Sequence, residues 1–111
     1  MDVIEQMAGE VTVVEPHGRI DSATAKQFGD HLWKLLDAGR NQLVIDLHSI
    51  TYISSAGFRQ LLIAKRSTQD KNGKLALCGV SGEIKRLFDI GAFDELLPVH
   101  PTREAGIASV R

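Results

Sequence analysis

A one-domain α/β fold is predicted, with a mixed, mostly parallel β-sheet of about four to five strands packed with about four helices. Three observations carry this. Short β-branched or apolar runs alternate with segments of helical spacing. The run Leu43–Leu47 does not alternate polar with apolar residues, the mark of a strand buried on both faces. The first two strand-like runs are close enough to form a hairpin, so the sheet is mixed rather than wholly parallel.

Val11 to Glu15 (VTVVE) is β-branched and reads as a strand. Val3-Ile4 is its expected partner, with Ala8-Gly9-Glu10 as the turn. Pro16-His17-Gly18-Arg19 breaks the pattern. Asp21 or Ser22 can then cap a helix within Ala23–Ala38, where Ala25, Phe28, Leu32, Leu35 and Leu36 fall on one face. Gly39 is a natural stop. After the strand Leu43–Leu47, the apolar pair Tyr52-Ile53 leads to Ser54-Ser55-Ala56-Gly57. A helix from Ser55 or Ala56 to about Gln69 follows, with Leu61, Leu62 and Ala64 toward the core. Asn72-Gly73 is a turn and Lys74–Gly79 a strand. Ser81 can cap a helix over Glu83–Asp89 whose apolar positions are Ile84, Leu87 and Phe88, with Lys85 and Arg86 solvated. Leu96–Val99 reads as a short strand, at an edge because of Pro98. Thr102 opens a last helix with Glu104 in its first turn, where the helix dipole favours an acid.

The 111 residues make one domain, residues 1–111, with one modest core. A hydrophobic content of 43% with 24% charged residues suits a globular chain that needs no lipid. The formal net charge of −1 offers no field for direct nucleic-acid binding. No apolar run approaches the ~20 residues of a membrane span, and Met1–Met7 lacks a basic, apolar leader. A cytoplasmic protein without membrane insertion is expected. Cys78 is the single cysteine, so no internal disulfide or multi-cysteine metal site can form; its apolar run marks it as a small buried hydrophobe.

Two adjacent hydroxyls, Ser54 and Ser55, stand where a loop becomes a helix. The first turn of a helix has unpartnered backbone N–H groups and a partial positive charge. One reading of these serines is capping alone. Another is a phosphorylation switch, in which about −1.5 to −2 charges are tolerated locally but disrupt a protein–protein contact. Arg59, four residues after Ser55, could pair with a phosphate there or with acidic groups of a partner. Phe58 is either core or, facing outward, an aromatic anchor. Asp21 is a helix cap, or, if its loop folds toward Ser55, a group that orients the hydroxyl or meets a partner.

Catalytic constellations are sparse. Asp46 ends a strand, a common ligand position in open α/β sheets, and His48 lies two residues on. The four histidines, His17, His31, His48 and His100, show no tight metal-ligand spacing with a carboxylate. There is no nucleophile elbow, phosphate-binding loop or dinucleotide fingerprint. Nothing assembles a nucleophile, a base and an oxyanion site.

Three segments together resemble the STAS domain, and within it the single-domain anti-sigma factor antagonists of bacteria. Gly18-Arg19-Ile20-Asp21 is similar to the loop before that family's first helix. Asp46 to Gly57 (DLHSITYISSAG) resembles the signature around its phosphorylated serine. Ser81 to Asp89 (SGEIKRLFD) resembles its late helix. The likeness implies a non-enzymatic binding switch. The unphosphorylated protein docks on an anti-sigma factor that is also a serine kinase, which releases a sigma factor; phosphorylation ends the docking, and a PPM-type phosphatase resets it. The implied acceptor is Ser55, with Ser54 as second choice. Asp21, Ser54, Gly57 and Phe58 would line the docking surface, and Arg59 would tune partner choice. No cofactor or metal is implied. The sequence departs from the family at Ser54, where Asp is frequent, and at Arg59, where a small residue is common. Two other readings stand beside this one: a STAS-type scaffold or accessory subunit of a transporter or signalling complex without a phosphorylation cycle, and a small nucleotide-binding enzyme using Asp46 and the helix N-termini.

Overall fold

The computed structural model describes residues 1–111, the side chain of Asp94 excepted. Val3–Ala8 (β1) and Val11–Pro16 (β2) form the expected antiparallel hairpin, closed by Ala8 opposite Val11. Gly9 supplies the positive φ, +65°, of the two-residue turn. Gln42–Asp46 (β4) and Lys74–Cys78 (β6) add parallel to β2, giving the order β1-β2-β4-β6. A second, two-stranded parallel sheet pairs Gly18–Ile20 (β3) with Ile50–Ile53 (β5). The helices are Ala25–Asp37 (α1), Ser55–Asp70 (α2), Gly82–Gly91 (α3) and Arg103–Val110 (α4).

The continuous apolar run of β4 is explained by cover on both sides of the sheet. Leu43 and Ile45 point, with Val14, Leu75 and Leu77, into the larger core against Phe28, Leu32 and Leu36 of α1, Phe58, Leu61 and Ala64 of α2, and Ile84 and Phe88 of α3. Val44 points the other way, with Val11, Val13, Ala76 and Cys78, against Val110 and Ile107 of α4. Three helices therefore cover one face and the terminal helix the other. Cys78 lies in this smaller core, and burial pushes its thiol up to about 12, so it is the inert hydrophobe expected.

Four local expectations are corrected. Gly18-Arg19, read as part of a pattern break, opens a strand, Gly18–Ile20, because Ile50–Ile53 offers it a ladder more than thirty residues downstream. The N-cap of α1 is Thr24, not Asp21 or Ser22, and Thr24 makes no side-chain cap bond. Ser81 occupies the N-cap position of α3, but its side chain likewise caps nothing. Leu96–Val99 is not a strand: a 3₁₀ turn spans Phe93–Glu95, and only Val99 bridges, in parallel, to Leu77. Pro98 has no N–H for a longer ladder, although its carbonyl accepts from the Leu77 N–H at 2.8 Å.

Candidate functional site

The serines sit at the junction of β5 and α2, held by the small parallel sheet. The Ser54 N–H donates to the Ile20 carbonyl at 2.8 Å, which ties the start of α2 to the end of β3. Ser54 is the N-cap, with extended backbone (φ −88°, ψ 172°), and its Oγ accepts from the Gly57 N–H at 3.2 Å. Its hydroxyl is thus engaged in holding the first turn. Ser55, the first helical residue, is exposed and makes no side-chain hydrogen bond among the described residues. The two neighbours, indistinguishable by residue type, have separate tasks: one fixes the helix end, the other presents a free hydroxyl.

Gly57 and Phe58 lie beneath this surface. Gly57 is buried, and a Cβ there would come within 2.7 Å of both Ile20 Cγ2 and Ile53 Cγ1. A side chain would therefore force α2 away from the strands that position Ser55. Phe58 is only 4% exposed; its ring stacks on Phe93 (centroids 3.9 Å) and meets Phe88 edge-on at 4.8 Å. It is core rather than an outward anchor. Both residues support the serine surface from below.

Asp21 stands where β3 ends, beside the Ile20 carbonyl that receives Ser54. Its Oδ1 accepts from the Thr24 N–H at 3.1 Å and the Ala23 N–H at 3.0 Å. The backbone bond from Thr24 leads the interactions that hold its carboxyl below the usual carboxylate range. Asp21 therefore organises the turn before α1 and keeps its charge at the edge of the serine surface. Arg19, which sequence reasoning missed, lies 3.8 Å from Asp21 through Nε and stacks over the Tyr52 ring at 4.4 Å. The residues joined by that stack are far apart in the chain, and no spacing signals it. Arg59 is exposed on α2 and enters no ion pair among the described residues.

Asp46, the other candidate, is closed to chemistry. It is 5% exposed, and Oδ1 accepts from the His48 N–H (3.1 Å) and lies 2.8 Å from His48 Nδ1. Oδ2 accepts from Arg103 of α4 through Nε (3.0 Å) and Nη2 (2.9 Å). Burial alone would raise this carboxyl; the hydrogen bonds from His48 and Arg103 outweigh it and hold the group below its ordinary value. Glu15, Asp46 and His48 offer ligand atoms within 4.8 Å of one another, but Arg103 Nη2 also reaches Glu15 at 2.7 Å. A guanidinium already supplies the positive charge there. The cluster is a clasp between α4 and the ends of β2 and β4, and nothing in the sequence points to Arg103.

Comparison with known proteins shows the family and the fold. A family model described as the STAS domain matches residues 3–106. BtrV of Bordetella bronchiseptica, which carries the name of an anti-sigma factor antagonist, is 34% identical over 94 residues, covering 85% of this chain and 81% of that protein. A Thermotoga maritima structure titled as an anti-sigma factor antagonist superposes with a TM-score of 0.90 at 17% identity, over 98% of this chain and 94% of that one. The phosphorylated form of the Bacillus cell fate determinant SpoIIAA superposes at 0.72 and 18% identity, over 99% and 100%. At such identities the two structures establish the fold.

Proposed function

Because this chain belongs to the STAS domain family, we propose that it acts as an anti-sigma factor antagonist switched by phosphorylation of Ser55. The family is one of regulatory binding proteins, not enzymes. On this reading the unphosphorylated chain docks on an anti-sigma factor with serine kinase activity and so frees a sigma factor. Phosphate on Ser55 ends the docking, and a PPM-type phosphatase restores it. Ser54, Asp21 and Arg59 border the docking surface, and Gly57 and Phe58 support it.

The observation that carries the proposal is the division of labour between the serines. Ser55 is exposed and uncommitted, while Ser54 is bound to the Gly57 N–H. A kinase can reach the first without dismantling the helix end. A phosphate at the first helical residue also meets the positive end of the α2 dipole, so the fold tolerates it. A partner surface packed against the same spot would have to desolvate that charge or oppose it. The phosphorylated form of SpoIIAA has this fold, so the fold can carry a phosphate.

The test is calorimetric titration of the purified anti-sigma factor with wild type and with Ser55→Asp. The variant should bind at least about tenfold more weakly, roughly 1.4 kcal/mol, with an unchanged melting temperature. Equal affinities would reject the switch. Intact mass after incubation with that factor and ATP should show one added phosphate, abolished by Ser55→Ala and retained by Ser54→Ala.

A further inference from the structure

The outer face of α2 extends the serine surface well beyond its first turn. Ser55, Arg59, Ile63, Arg66, Gln69 and Asp70 are its exposed positions, and they fall on one side of the helix. Ile63 is 47% exposed, between the two arginines. Most cations of α1 and α3, Lys34 excepted, are held in ion pairs along their own helix. Lys26 pairs with Asp30 at 3.1 Å, Lys85 with Asp89 at 3.1 Å and Arg86 with Glu83 at 2.9 Å. Among the described residues neither Arg59 nor Arg66 has such a partner, although Asp70 lies four residues after Arg66. In a chain of net charge −1, this is a local reversal of sign around an apolar residue.

We infer that this strip is a second docking element for the anti-sigma factor, reading an acidic surface around an apolar socket. The inference rests on the antagonist reading above and names the chemistry of its partner. Ile63 would fill the socket. Arg59 and Arg66, about 10 Å apart along the axis at roughly 1.5 Å per residue, would face two carboxylates on either side of it. Asp70 closes the cationic strip and sets the limit of the footprint. Arg66 stands about 16 Å along the axis from Ser55, too far to contact a phosphate there, so its contribution is separable from the switch. Exposed arginines on one face steer an acidic partner and discriminate among partners of similar fold. The strip is thus where this chain selects its own anti-sigma factor, whereas Ser55 decides when it binds.

The experiment measures affinity of the purified anti-sigma factor for wild type, Ser55→Asp, Arg66→Glu, Ile63→Ser and Arg40→Glu. Arg40 is an exposed cation that follows α1 and lies near Met7 of β1, outside the strip, and its reversal controls for net charge. Melting curves confirm that each variant folds. Arg66→Glu should weaken binding about tenfold and reduce its salt dependence, Ile63→Ser should weaken it several-fold, and Arg40→Glu should leave it unchanged. Replacing a facing partner carboxylate with Lys should restore binding to Arg66→Glu. If Arg66→Glu and Ile63→Ser bind like wild type while Ser55→Asp does not, the strip is overturned and the switch stands. If Ser55→Asp also binds like wild type, the switch fails as well.

Discussion

Replacing each of the two serines by alanine should separate them by stability alone, before any partner is involved. Ser54 Oγ is the acceptor for the Gly57 N–H at 3.2 Å. Ser54→Ala leaves that buried helix-end donor without its partner and should cost about 1 kcal/mol, within the roughly 0.5–2 found for lost N-caps. Ser55 Oγ makes no hydrogen bond among the described residues, and the side chain is exposed. Ser55→Ala should therefore change stability by less than about 0.5 kcal/mol. For a chain of 111 residues, an unfolding entropy of about 2.1 cal/mol/K per residue converts 1 kcal/mol into about 4 °C. Ser54→Asp, which keeps a cap acceptor and adds a charge favoured by the dipole, should return the melting temperature to that of wild type. Urea unfolding of the three variants beside wild type reads this directly. A loss for Ser55→Ala as large as that for Ser54→Ala would refute the assigned division, and with it the reason for choosing Ser55 as acceptor.

Gly57→Ala should destabilise by roughly 1–2 kcal/mol, the overpacking against Ile20 and Ile53 being partly offset by the better helix propensity of alanine; a stabilised variant in thermal unfolding would contradict the close approach. Phe58→Ala opens a void between Phe88 and Phe93 and should cost about 3–5 kcal/mol in denaturant unfolding. Asp46 carries a depressed carboxyl in the folded state, so its contribution is fully present above the ordinary carboxylate value of about 3.9 and is lost as pH falls through its folded value. The stability gap between wild type and Asp46→Asn should accordingly hold steady above about pH 5 and shrink as pH falls below about 3.9, and a constant gap would place the effect elsewhere. Cys78 should resist a thiol reagent at mildly alkaline pH in the folded protein and react fully in denaturant, because burial raises its thiol to about 12.

What the sequence revealed followed the range of the interactions involved. The hairpin, the doubly buried β4, the approximate spans of α1, α2 and α3 and the start of α4 depend on periodicity and local turn residues, and all were legible. So was the position of the two serines at a helix start. Strand β3 was not, since three residues carry no periodicity and its ladder depends on Ile50–Ile53 far along the chain. The orientation of Phe58 was open because Leu61, Leu62 and Ile63 make α2 apolar around most of its circumference. Phe93, thirty-five residues later, decides it by stacking on the ring and covering it. The closure of Asp46 depended on Arg103, fifty-seven residues away, on a helix against the opposite sheet face. In each case the missing information was a tertiary partner, which overrides what a local window can show.

These long-range partners are also what would let the serine surface serve as the proposed switch. A binding switch needs a modification that changes affinity by more than about 1.4 kcal/mol while leaving the fold within a few tenths. The core beneath Ser55 meets the second condition. Ile20 and Ile53 are closed around Gly57, Phe58 is locked between two other rings, and Ser54 secures the helix end. None of these contacts involves the Ser55 hydroxyl. A phosphate there enters water and the favourable end of a dipole, worth roughly 0.3–1 kcal/mol to the free protein. In a complex the same group displaces a packed surface, and an unpaired charge buried at an interface costs about 2–5 kcal/mol. On the proposed reading, the difference in sign between these two environments, rather than any rearrangement of the chain, would be sufficient to turn docking off.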